Sequence, residues 1–154
     1  MPYLSASEID PLTLTSLTRG LPVERAVATL PQTSTTTYFT VSGGRVEAFF
    51  LGEVVGASDA TACNFNLVHT PTGGTVGDLS AAASIASKEA GCMIGITGLP
   101  GDATLLTTAG VRFQNPVVLK PGAVGAKTSG NNPGTTKWVC WYKPLDPGAK
   151  VVAA

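Results

Sequence analysis

Thr37-Tyr38-Phe39-Thr40-Val41-Ser42-Gly43-Gly44-Arg45-Val46-Glu47-Ala48-Phe49-Phe50-Leu51-Gly52-Glu53-Val54-Val55 is the stretch on which the fold turns. Thr37–Val41 is dense in β-branched and aromatic residues and reads as a short strand. Ser42-Gly43-Gly44 reads as a hairpin turn, because paired glycines supply the positive φ that tight turns require. Arg45–Val55 is the longest strand candidate in the chain. Val46, Ala48, Phe50 and Glu53 do not alternate cleanly along it, and Gly52 predicts a bulge or a sharp bend.

The same grammar repeats outward from this hairpin. Asn64–His69 alternates, with Phe65, Leu67 and His69 on one face and Asn64, Asn66 and Val68 on the other. Cys92–Thr97, Thr104–Thr108, Val111–Gln114 and Pro116–Leu119 read as further short strands. Lys127–Gly134 reads as a polar loop and Lys137–Lys143 as a strong closing strand, followed by a turn at Asp146-Pro147-Gly148 and a tail over Lys150–Ala154. Asp78–Glu89 fits either a helix, capped by Asp78 and ended by Gly91, or a strand of period two; its neighbours favour strand. About eight short strands with regularly spaced turns predict an all-β chain, an antiparallel β-sandwich or jelly-roll-like barrel over residues 31–154.

Residues 1–30 read as an N-terminal arm. Asp10-Pro11 is a helix start and Arg19-Gly20 a stop, but Leu12, Leu14 and Leu17 are interleaved with threonines that lower helix propensity. The expectation is a short helix or an extended run that packs on something else. Met1–Ser5 has neither a basic nor an apolar leader region, and no stretch has the length and hydropathy of a bilayer span, so neither a signal peptide nor a membrane is expected.

The 154 residues are 44% hydrophobic but only 13% charged, about half the usual charged fraction. Such a surface is expected either to be covered by a partner or to be a Thr- and Ser-rich β surface in water. The formal net charge is zero, which argues against bulk nucleic-acid binding. The charge is nevertheless uneven: from Arg112 onward six basic residues face Asp146 alone, whereas nine acids precede them.

Reactive chemistry is sparse. Cys63, His69, Cys92 and Cys140 are the candidates for a Cys3His zinc site, but no Cys-x-x-Cys pair supplies the local geometry of one. Three isolated cysteines in apolar contexts suit buried, reduced thiols of a protein made in the cytoplasm. His69 is the only histidine, and no Gly-x-Ser-x-Gly elbow accompanies it. Glu47 and Glu53 are spaced as two solvent-facing strand residues would be. The glycines form no phosphate-binding pattern. No catalytic, metal-binding or cofactor-binding residue is therefore assigned, and the chain is not expected to be an enzyme. On the closing strand, Trp138 and Tyr142 share a face with Cys140 while Trp141 points the other way with Val139, so one face belongs to the core and the other to a sugar platform or a protein contact, of which an oligomer interface is favoured.

Two stretches carry a resemblance. Leu30-Pro31-Gln32-Thr33 with Tyr38–Val46 resembles the opening of a group of small tailed-bacteriophage virion proteins, and Lys137–Ala149 resembles their ending. Such proteins look like head decoration, or cement, proteins. The resemblance implies a structural virion protein, made in the host cytoplasm, that binds the capsid exterior and bridges capsomers. The implied partners are the major capsid protein and the chain itself, as a homotrimer. The residues expected to make assembly contacts are Leu12, Leu14, Leu17, Arg19 and Arg25 in the arm, and Trp138, Trp141 and Tyr142 in the closing strand. The alternatives are a β module for glycan or host-surface binding and a tail or connector component of the virion.

Overall fold

A computed structural model describes residues 19–112 and 115–154. Leu12, Leu14 and Leu17, together with the helix start at Asp10-Pro11, lie outside the described residues.

The described chain is an antiparallel β-sandwich of two sheets, each with six strands. In the first sheet β1 (Leu21–Thr29) pairs with β11 (Thr135–Pro144), which pairs with β3 (Val46–Gly56). The far edge of β3 is shared by β7 (Met93–Gly95), backed by β8 (Leu105–Thr107), and by β9 (Val117–Leu119). The second sheet runs from β12 (Lys150–Ala153) through β2 (Thr35–Ser42) and β10 (Gly122–Thr128) to β4 (Asn64–Pro71). Two short strands, β5 (Gly77–Asp78) and β6 (Ala83–Ser84), extend β4.

The core lies between the sheets and is aromatic at its centre. Trp138 of β11 stacks on Phe65 of β4, with ring centroids 5.7 Å apart and planes at 19°. Tyr38 of β2 tilts against the same indole at 5.7 Å. Phe39 and Phe50 meet at 5.8 Å. Tyr38 and Phe39 are adjacent, yet both are buried. The register explains this: Phe39 opposes Val124 and Thr37 opposes Gly125, so Tyr38 is an extra residue, and the bulge turns its ring inward beside its neighbour's.

The two strands either side of Ser42-Gly43-Gly44, the alternating strand at Asn64–His69 and the closing strand form as the sequence predicts. The turn itself is not a hairpin: β2 and β3 belong to different sheets and do not pair, so it carries the chain across the sandwich. Several expectations change. The boundary at residue 30 does not hold, since Leu21–Thr29 pairs along β11 and belongs to the sandwich. Twelve strands form among the described residues rather than about eight. Lys127 lies in β10 rather than in a loop, and Lys150–Ala153 is an edge strand rather than a tail. Val111 and Arg112 lie outside any strand, and the rest of that expected element falls outside the described residues.

Asp78–Glu89 is neither helix nor continuous strand. Its polar groups bond across to other segments instead: the Ser80 hydroxyl is 2.7 Å from that of Thr104, and the Lys88 backbone N–H donates to Ser58 Oγ at 2.7 Å. Gly52 marks neither a bulge nor a bend. A Cβ built there would lie 2.6 Å from Cζ2 of Trp138, so the glycine makes room for the indole.

Candidate interaction surface

The closing strand divides its aromatics as the alternation predicts. Trp138 and Tyr142 are only 2% and 8% exposed, so two of the three aromatics expected to make assembly contacts are core residues. Trp141 faces outward, half-buried. It opposes Phe49 of β3, and Val139 opposes Leu51, so four apolar side chains form a band on the outer face of the first sheet. Val118 of β9, which is exposed, extends this face beside Glu47.

Ion pairs close the band at both ends. Lys137 Nζ is 2.9 Å from a Glu53 carboxylate oxygen, and Lys143 Nζ is 3.9 Å from one on Glu47. Each pair joins directly opposed residues of β11 and β3. Exposed pairs of this kind add at most about 1 kcal/mol, and their effect here is to set register and solubility rather than affinity. The two glutamates are thus lysine partners on the outer face. Phe49 and Leu51 were not singled out from sequence, although odd-numbered positions of β3 share the face of Glu47 and Glu53.

At one end of the sandwich, the β2–β3 turn is clasped to the β11–β12 turn. The Arg45 backbone N–H and Nε both donate to Asp146 Oδ2, at 2.7 and 2.9 Å, while Nη2 donates to Oδ1 at 2.8 Å. The guanidinium beside it holds the Asp146 carboxyl down to about 2, from an ordinary value near 4. Gly43, at φ 76°, sits so close that a Cβ would meet the Gly148 carbonyl oxygen at 2.2 Å.

The remaining candidate groups are dispersed. Arg19 is exposed at the start of the described residues. Arg25 points inward from β1, and its guanidinium carbon is 4.0 Å from the centre of the Tyr38 ring. His69 is buried, and its Nε2–H donates to the Lys120 carbonyl at 3.1 Å; burial lowers its pKa. Cys63, Cys92 and Cys140 are buried free thiols, and burial pushes the Cys140 thiol up to about 12. Among the described residues, no three His, Cys, Asp or Glu side chains are grouped to hold a metal ion. A cleft beside β4 is lined by Asn64, Asn66, Asp78, Lys127 and Ser129. Inside it the Asn66 amide already donates to Asp78 at 2.9 Å and to the Ser80 carbonyl at 3.2 Å. No helix among the described residues is long and apolar enough to cross a membrane. No family model, curated protein or solved structure matches the chain.

Proposed function

We propose that this chain is a structural virion protein: a homotrimeric β-sandwich that decorates the exterior of a tailed-phage head and stabilises the shell by bridging capsomers. The observation that carries the reading is where its two family-like stretches lie. They are about a hundred positions apart in sequence, yet they form one contiguous piece of the molecule. The first supplies β2, its turn and the start of β3; the second supplies β11 and the turn into β12. Lys143 opposes Glu47, Pro144 opposes Val46, and Arg45 clasps Asp146. A resemblance scattered by chance would have no reason to converge on a single clasped unit.

The physics of the role is mass action. A protein that binds only the assembled lattice shifts the equilibrium toward assembly, and a trimer engaging several capsomers at once gains by avidity. Closed three-fold symmetry suits the local three-fold positions of a capsid. The band of Trp141, Phe49, Val139 and Leu51, closed at each end by an ion pair, has the apolar centre and charged ends of a protein contact. The rival glycan-binding reading asks for a broad aromatic platform; Trp138 and Tyr142 are buried, which leaves Trp141 with Phe49 opposite it, both half-buried.

The test is co-sedimentation of the purified chain with heads of the phage that encodes it, prepared without the chain. Saturable binding at a fixed copy number per head, with heads more resistant to heat, is expected. Absence of binding to heads, or binding to tails alone, would sink the proposal. A truncation meant to remove only the arm must stop at residue 18, because deletion through residue 28 strips β1 from its sheet.

A further inference from the structure

Charge on the outer face of the first sheet stands in columns. β11 presents Lys137, Val139, Trp141 and Lys143 there, and β3 presents Glu53, Leu51, Phe49 and Glu47, each directly opposed to its counterpart. Both bases are on one strand and both acids on the other, with half-buried apolar side chains between them. The four charged side chains pair within the copy yet keep between 30% and 53% of their surface exposed, so each can meet a second partner. The outer face of the second sheet is built differently. Its central row reads Val152, Thr40, Ala123 and Thr70, small and hydroxyl-bearing side chains with one valine.

Symmetry decides what this pattern fits. Two copies that pack this face against itself are related by a two-fold axis lying between the two sheets. An axis across the strands lays β11 on β11 and β3 on β3, so lysines meet lysines and glutamates meet glutamates. An axis along the strands, midway between β11 and β3, lays β11 of each copy on β3 of the other. Lys137 then faces Glu53 of the second copy, Lys143 faces its Glu47, and Val139 and Trp141 cover its Leu51 and Phe49. Each end becomes a square of alternating charge, lysine beside glutamate within a copy and over glutamate between copies. Facing sheets stand about 10 Å apart, a gap that Lys and Glu side chains bridge, and their twist gives aligned packing at about 30°.

The same axis supplies a further pair. Glu24, Val139, Leu51 and Gly95 form one cross-strand row. Val111 covers its far end, since a Cβ on Gly95 would lie 2.3 Å from Val111 Cγ1. The axis exchanges the ends of that row. The exposed Glu24 of one copy therefore meets the segment of the other that carries Val111 and the exposed Arg112.

We infer that this chain self-associates through the outer face of its first sheet, in an isologous contact about a two-fold axis running along β11 and β3. A two-fold contact cannot close a three-fold ring, so where trimers form it links one trimer to the next. The contact is read from the placement of charge alone and does not depend on the virion reading.

The test is sedimentation equilibrium of the full chain beside two charge-reversed variants, Lys137→Glu/Lys143→Glu and Glu47→Lys/Glu53→Lys. The unaltered chain is expected to associate into an even number of copies, two or, where trimers pair, six. Each variant alone sets like charge over like charge and is expected to raise the dissociation constant at least about tenfold. An equimolar mixture of the two restores lysine over glutamate at every position and is expected to recover the association. The variant with all four reversals is expected to associate with itself but not with a labelled tracer of the parent; an axis across the strands would give the opposite. Single copies or trimers alone at millimolar concentration, or reversed variants that associate as tightly as the parent, would overturn the inference. Trimers alone would do so while leaving the three-fold reading intact, and dimers would uphold the inference while contradicting the three-fold reading. Should a reversed variant fail to fold, a dilution series of the unaltered protein reads the face by NMR. The Val139 and Leu51 methyl resonances move with concentration if copies meet there, and their staying in place would overturn the inference.

Discussion

Gly52→Ala sets two effects of opposite sign against each other. Strand propensity alone says that alanine should stabilise, by about 0.5–1 kcal/mol, because glycine loses more backbone entropy on folding. The packing says the reverse. A Cβ at position 52 falls 2.6, 2.7 and 2.8 Å from three atoms of the Trp138 ring, inside any allowed contact. The indole cannot retreat easily, because it stacks on Phe65, touches Tyr38 and donates to Thr136. Overpacking of this kind costs about 1–3 kcal/mol, and displacing the indole from Thr136 adds about 1 kcal/mol. The net expectation is a loss of about 1–3.5 kcal/mol, or a Tm lower by roughly 3–12 °C for a chain of this size. Urea denaturation followed by far-ultraviolet circular dichroism measures it, which avoids relying on the perturbed tryptophan. The double mutant Gly52→Ala/Trp138→Phe should recover part of the loss relative to Trp138→Phe alone, since the smaller ring vacates the collision. A Gly52→Ala protein as stable as the parent, or a strictly additive double mutant, would refute the reasoning.

Three further outcomes are expected. Asp146→Asn should remove a pH dependence confined to acid: the Asp146 carboxyl is held at about 2 when folded, so its contribution is whole above the ordinary value near 4 and is lost as pH falls through about 2; parallel Tm–pH curves for parent and variant over that range would contradict this. His69 has a lowered pKa in the fold, so the unfolded chain binds its proton first and stability should decline as pH drops below about 6.5; an NMR titration placing His69 at or above 6.5 would contradict it. The Cys140 thiol, raised to about 12 and fully buried, should resist iodoacetamide at pH 8 in the folded protein and react on unfolding, and rapid labelling of the folded chain would count against the packing described.

The β-sandwich was legible in the sequence because its signals are local. Paired glycines at 43 and 44 mark the turn between β2 and β3, though not that it crosses between the sheets, and alternation over Asn64–His69 and Lys137–Lys143 marks strands whose faces can be assigned from period alone. What escaped depends on partners distant in the chain. Leu21–Thr29 contains a proline and two charged residues and becomes a strand only because β11 offers it an edge. Gly52 is explained by an indole 86 positions away, which no local rule connects to it. The burial of Tyr38 beside Phe39 rests on a register shift in β2, and a one-residue bulge leaves no mark in composition or period. The split of Trp138 and Tyr142 from Trp141 was readable, but choosing the core face required the second sheet.

The central claim is that this fold serves a lattice through the surfaces it presents. Cryo-electron microscopy of purified virions of the phage proposed to encode it, with quantitative mass spectrometry of the same particles, tests it most directly. The account predicts density for this sandwich in groups of three on the outside of the head, in numbers fixed by the capsid geometry. Virions that lack the chain, or that hold it only as a six-fold ring in the tail or connector, would contradict it.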